Sequence, residues 1–240
     1  MALLDAPQRF VEAAMANASG VRQLIELVQR VRTELGSDAA SVFVLGSGLV
    51  DSDGNVSGAA ASYAGVISAN DAENGVWVPS ANIPFKGLSA QWSPTGRVAG
   101  SLNVGGVAIL REFPGKGSMV WSARMITGLT PTTYLTDVRT IDTMQRSITQ
   151  GLLPYVFAAN DAVTWSTVTA NVSGYLMGWW KEGALFGPTS SIAYTVECGI
   201  GTTMTSQDIL NGEMVVSITV RLSASRPPTT WTQSQRMQGV

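Results

Sequence analysis

Apolar residues recur at helical spacing in four stretches of the chain. Near the N-terminus, Pro7 suits a first helical turn, and Phe10, Val11 and Ala14 fall on one face, which predicts a short opening helix. Ser19 then caps a stronger helix. Val21, Leu24, Ile25, Val28, Val31 and Leu35 keep the i, i+3, i+4, i+7 rhythm, and Gly36 ends it. In the second half, Tyr134–Leu152 predicts a helix that turns Val138, Ile141, Ile148 and Leu152 inward. Asn160 and Asp161 are good caps for a further helix with Trp165, Val168, Val172, Leu176 and Trp179 on its apolar face, stopped near Gly183. Its Thr, Val and Ser residues have poor helix propensity, so tertiary packing must hold it.

Strand patterns lie between and after these helices. Ser41–Leu45 reads as a short buried strand, and Val107–Glu112 and Met119–Ile126 as two strands joined by the turn-rich FPGKGS segment. Ser191–Glu197 and Glu213–Leu222 are further strands. Gly46–Ser62 reads as a loop, and residues 63–106 show weak periodicity with many breakers. The alternation predicts an α/β (α+β) fold with a mixed β-sheet flanked by helices. Residues 1–228 are expected to form one α/β domain, with 1–60 as a helical lead-in and first strand. Residues 229–240 follow Pro227-Pro228 and are expected to form an extended C-terminal arm.

Composition narrows the function. Only 13% of residues are charged, against about 25% in ordinary soluble domains, and the mean hydropathy is +0.17. Interface cores are depleted in Lys, Glu and Asp, so this surface suits a subunit packed against others. Net charge is −2, and the three lysines, Lys86, Lys116 and Lys181, lie far apart in sequence, which argues against direct nucleic-acid binding. The uncharged run Ala162–Trp180 is interrupted by Thr, Ser and Asn, so it reads as an amphipathic helix and not a membrane insertion. One cysteine, Cys198, cannot form an internal disulfide and reads as a buried thiol.

Catalytic chemistry is hard to find. The chain has no histidine, which removes histidine-based nucleophilic systems and the commonest metal ligand. Asp51-Ser52-Asp53-Gly54-Asn55 resembles the start of a calcium loop, but Val56 and Ser62 stand where that loop needs Gly and Glu. Gly115-Lys116-Gly117-Ser118 lacks the Gly-Lys-Ser order of a phosphate loop. Acidic pairs such as Asp71 with Glu73, or Asp137 with Asp142, together with the seven tryptophans, leave a carbohydrate-active hydrolase as the rival reading. No catalytic, cofactor or metal residue is assigned.

Several ordered segments resemble the tail sheath family of contractile phages and contractile injection systems. They are Asn70-Asp71 through Gly75-Val76-Trp77 to Pro79-Ser80-Ala81-Asn82; Leu102-Asn103 with Gly105-Gly106; Phe113-Pro114-Gly115 with Val120-Trp121-Ser122-Ala123-Arg124; Asp137-Val138-Arg139; Asn160-Asp161; Gly183 to Gly187; and Arg226-Pro227. Together they cover roughly residues 60–228. Ser122 replaces the usual Gly, Ala158-Ala159 a usual Glu-Pro, and Pro228-Thr229 a usual Ala-Glu. Family members usually carry more chain before the segment that resembles residues 1–60.

The resemblance implies an inner, C-terminal sheath domain, and a structural subunit that stacks with copies of itself in helical rings and drives injection by contraction. Expected partners are an inner tail tube protein and baseplate and terminator proteins. The expected location is a virion tail or contractile particle assembled in the bacterial cytoplasm. A tail-associated adaptor or adhesin on a related fold is a further alternative. In this frame Thr229, Thr230, Trp231, Thr232 and Gln233 are the expected subunit interface, as a strand added to a neighbouring subunit's sheet.

Overall fold

The computed structural model describes residues 9–12, 26, 28–30, 33–34, 42–94, 96–125 and 134–238. It divides into two compact units, Met1–Thr140 and Ile141–Val240. The sequence reading groups residues 1–228 as one domain without a linker. The division falls inside a continuous helix, which leaves no linker composition to read.

In the first unit, β1 (Arg9–Glu12) and β2 (Val42–Leu45) pair in parallel, and β2 pairs in parallel with β6 (Val107–Ala108). The expected opening helix over Phe10 and Val11 is therefore a strand, while Pro7 and Ala14 lie outside the described residues. Phe and Val favour strands, and the ladder with β2 outweighs a short helical rhythm. The second expected helix is borne out where it is described: Glu26, Val28–Arg30 and Thr33–Glu34 are helical, and Val28 is buried. A helix between two parallel strands is the connection such pairing requires.

The expected loop at 46–62 contains β3 (Leu49–Val50) and β4 (Val56–Ser57), with β5 (Ser89–Ala90) on the other side of β3. The calcium-like residues are the turn of this hairpin. Asp51 Oδ1 accepts from the backbone N–H of Asp53 and of Asn55, each at 2.9 Å, and Oδ2 accepts from Asn55 Nδ2 at 3.0 Å. Helix α1 (Ala59–Asn74) buries Ala59, Tyr63, Ile67 and Asn70, and α2 (Gly96–Val104) follows. The core of this unit gathers Phe43, Leu45, Leu49, Tyr63, Ile67 and Leu110. β7 (Leu110–Phe113) and β8 (Gly117–Val120) form a hairpin at the expected turn, with Gly115 at φ 74° and Gly117 at φ 80°. The expected strands 107–112 and 119–126 are not kept whole: Val107–Ala108 pair with β2 in the parallel sheet, and the second strand ends at Val120. Positive φ in that turn favours glycine. α3 (Leu135–Leu152) begins in this unit and continues into the second.

The second unit contains a 3₁₀ turn (Leu153–Phe157), α4 (Ala162–Lys181), a short α5 (Ser190–Ala193), β9 (Tyr194–Cys198), α6 (Ser206–Leu210), β10 (Glu213–Val220) and β11 (Thr229–Arg236). The mixed helix–strand class is as expected. The described strands are spread over one parallel and three antiparallel sheets rather than gathered into one.

Candidate assembly interface

The sheet of the second unit is ordered β11-β10-β9, antiparallel throughout. β10 sits in the middle, and its alternation buries Met214, Val216, Ile218 and Val220. These join Ile148, Leu152, Val168, Val172 and Leu176 of α3 and α4 in one core. α4 starts where the sequence places it: Asp161 accepts from the Thr164 N–H at 2.9 Å and caps the helix. Trp165 is partly buried against this core, and its indole N–H donates to Asn160 Oδ1 at 2.7 Å. Asn160 Nδ2 in turn donates to the Glu213 carbonyl at 3.1 Å, so this side chain ties the start of α4 to the start of β10.

The C-terminal segment completes the sheet. β11 pairs with β10 of the same chain over its whole length, from Val220↔Thr229 to Glu213↔Arg236. The expected partner of this arm is a neighbouring subunit's sheet; here an edge of its own chain satisfies it. The reason lies in the partner strand: β10 pairs with β9 on one side and would otherwise leave its other row of backbone groups unpaired. β11 has alternating exposure, with Thr230, Thr232, Ser234 and Arg236 outward. Of its inward residues, only Trp231, opposite Ile218, is a large apolar group packed on the core. Just beyond, Met237 is buried and its N–H donates to the Gly212 carbonyl at 2.6 Å. The five expected interface residues, Thr229 to Gln233, therefore lie together on one strand. Among the described residues, no strand pairs with the outer edge of β11.

Two groups here depart from ordinary behaviour. The Trp231 indole N–H is buried without an acceptor. Burial pushes the Cys198 thiol up to about 11, so it is a poor nucleophile.

Two of the acidic residues of the hydrolase reading, Asp71 and Asp142, are held in ion pairs. Arg139 Nη1 donates to Asp71 Oδ1 at 3.0 Å, and Nη2 donates to Asp71 Oδ2. Asp142 pairs with Arg146 at 3.2 Å, while Asp137 is buried and Glu73 is exposed. Among the described residues no group of acidic, Cys or His side chains could hold a metal ion, and no helix is long and apolar enough to cross a membrane.

The sheet-and-helix arrangement has known counterparts. A sheath complex of an extracellular contractile injection system, PVC, in its contracted state aligns at TM-score 0.79 and 25% identity, covering 89% of this chain and 60% of that one. The contracted helical sheath of the anti-feeding prophage aligns at TM-score 0.74 and 27% identity, covering 95% and 61%. A chain of the anti-feeding prophage baseplate aligns at TM-score 0.75 and 28% identity, covering 89% and 56%. The present chain thus spans 56 to 61% of the length of these three solved chains. No curated protein matches it. Residues 130–225 match the family model of the phage tail sheath C-terminal domain, and the fold is similar to that of the sheath proteins of contractile injection systems.

Proposed function

We propose that the chain is a structural subunit of a contractile tail sheath. It polymerises with copies of itself into stacked helical rings around an inner tube, and the change between two sets of subunit contacts drives injection. The observation that carries this reading is the alignment of nearly nine-tenths of the chain with the PVC sheath at TM-score 0.79. The open edge of β11 supports it: Thr229, Thr230, Trp231, Thr232 and Gln233 form an edge strand that can accept or exchange a strand from a neighbour. Main-chain hydrogen bonds across such an edge keep subunits connected while side-chain contacts rearrange.

A sheath of this kind works through its interfaces, so no catalytic residue is assigned. Its further partners are the inner tail tube protein and the baseplate and terminator proteins, in a virion tail or contractile particle assembled in the bacterial cytoplasm. Similarity to a chain of the anti-feeding prophage baseplate supports the baseplate contact.

Electron microscopy of the purified full chain is the test. Helical tubes or stacked rings are expected. A monodisperse monomer that hydrolyses polysaccharide would overturn the reading and favour the enzyme.

A further inference from the structure

The β7–β8 hairpin carries an arginine packed against a pair of touching aromatic rings. Arg111 and Phe113 are two residues apart on β7 and so share a face. Trp121 follows β8 and is brought alongside by its N–H, which donates to the Ile109 carbonyl at 2.9 Å. The Arg111 guanidinium carbon lies 5.0 Å from the Phe113 ring centre and 5.2 Å from that of Trp121. The two rings are 4.9 Å apart and tilted by 44°. Trp121 is 45% exposed, an unusual position for the largest apolar side chain.

This guanidinium is fixed but incompletely partnered. Arg111 Nε is buried without an acceptor, and the ion pairs among the described residues, Arg139–Asp71 and Arg146–Asp142, do not include it. Its sequence neighbour Glu112 alternates to the other face of the strand. Exposed Lys116 at the turn adds positive charge. Arginine's planar fork matches a carboxylate in two parallel hydrogen bonds, and the stacked rings have already removed much of its rotamer freedom. Trp and Arg together are the residue types that dominate interface energetics.

We propose that the Phe113–Arg111–Trp121 stack is a docking hot spot that grips a carboxylate on a second copy of this chain. The inference rests on the self-assembly reading and gives it a specific side-chain contact. Charge complementarity favours that occupant. The chain has 17 acidic residues against 15 basic ones. Glu182 and Glu213 are exposed and take part in no ion pair among the described residues. Both belong to the second unit, whereas the stack belongs to the first. A contact between such unlike surfaces is heterologous, and heterologous contacts propagate into rings or helical filaments instead of closing into a dimer.

The test compares full-length wild type with Arg111→Ala, Arg111→Lys and Trp121→Ala. Sedimentation gives the concentration needed for assembly, and thermal melting reports on the fold. Arg111→Ala is expected to raise the assembly concentration by about tenfold or more with little change in melting temperature. Arg111→Lys is expected to fall between, since it keeps charge but loses the fork. Trp121→Ala is expected to raise the assembly concentration as well, because it removes one wall of the stack. Wild-type assembly is expected to weaken with added salt, and Arg111→Ala to lose much of that salt dependence. An Arg111→Ala chain that assembles at the wild-type concentration overturns this contact alone and leaves the sheath reading standing. An assembly defect that tracks a lowered melting temperature also overturns it, because the stack would then be a clasp for the hairpin. A wild-type chain that stays monomeric at every concentration overturns both readings.

Discussion

Trp231 offers the sharpest test of how the C-terminal strand is held. It is the large apolar side chain by which β11 contacts the core, and its indole N–H is buried without an acceptor. A fully buried tryptophan removes about 150–250 Å² from water. Trp231 is partly buried, so about 100 Å² is a fair share, and about 25 cal/mol per Å² gives roughly 2.5 kcal/mol. Against this stands the orphaned N–H, which costs about 1–3 kcal/mol when left unmade. Trp231→Ala loses the burial but also removes the N–H and its penalty, so the net loss should be no more than about 1.5 kcal/mol. Trp231→Phe keeps most of the ring contact and removes the N–H. It should be neutral or stabilising by up to about 1 kcal/mol. Urea denaturation followed by circular dichroism measures both differences. Hydrogen exchange on the amides of residues 229–236 adds location, because a terminal edge strand can open by itself before the rest of the unit unfolds. If Trp231→Phe destabilises by more than about 1 kcal/mol, the indole N–H has a partner after all, and the assignment of Trp231 as a purely apolar anchor fails.

Other perturbations follow from particular contacts. A Cβ on Gly187 would meet the Ala193 backbone N at 2.8 Å and its Cα at 3.0 Å, so Gly187→Ala should cost about 1–3 kcal/mol in a thermal or urea melt. Cys198, raised from 9.0 to about 11 by burial, should react with iodoacetamide at pH 8 about a hundredfold more slowly than a free thiol in the unfolded chain. The same shift makes the folded state hold its thiol proton longer, so stability should decline as pH rises from about 9 towards 11. Asp161→Ala removes the cap on the Thr164 N–H and should cost about 1 kcal/mol, which Asp161→Ser or Asn should largely restore.

The sequence is most readable where one local rule acts alone. The helix from Leu135, the Asp161 cap, the apolar face of Val168, Val172 and Leu176, and the glycine turn of the β7–β8 hairpin all follow from short-range patterns. The 3.6-residue rhythm and positive φ need no tertiary information. α1 is illegible for the opposite reason. Its buried set is Ala59, Tyr63, Ile67 and Asn70, which mixes small and polar residues. Tyr63 is held by a 3.0 Å hydrogen bond between its hydroxyl and Ser80 Oγ, and Asn70 by donation to the Val78 carbonyl at 2.9 Å. Partners distant in sequence leave no periodic trace. β1 reads as a helix because Phe10 and Val11 satisfy a helical and a strand pattern equally, and only pairing with Val42–Leu45 decides. At the candidate interface, the residues Thr229–Gln233 and their extended backbone are legible, but the identity of the paired edge is not. Strand pairing is set by which row of N–H and C=O groups is vacant, and sequence alone cannot show that β10 leaves one. Arg111 carries a usable signal, an Arg-x-Phe step within a strand and a tryptophan just past its hairpin partner.

On the proposed sheath reading, a low-charge chain suits a lattice that rearranges. Charge-paired contacts are directional and weaken with salt, whereas a strand edge offers hydrogen bonds that repeat every second residue along its length. β11 combines an outward row of Thr230, Thr232 and Ser234 with one apolar anchor, so its hold on β10 rests chiefly on the ladder. A ladder of that kind can be exchanged for an equivalent one without exposing much apolar surface. Deleting residues 229–240 tests this step. It would bare the edge of β10, whose buried Met214, Val216, Ile218 and Val220 belong to the core of the second unit. If β11 is an exchangeable strand, an added peptide of sequence 229–240 should bind the truncated chain and restore its resistance to hydrogen exchange along β10. If the peptide does not bind, the segment is a fixed part of the sheet, and strand exchange at this edge is ruled out as the link between subunits.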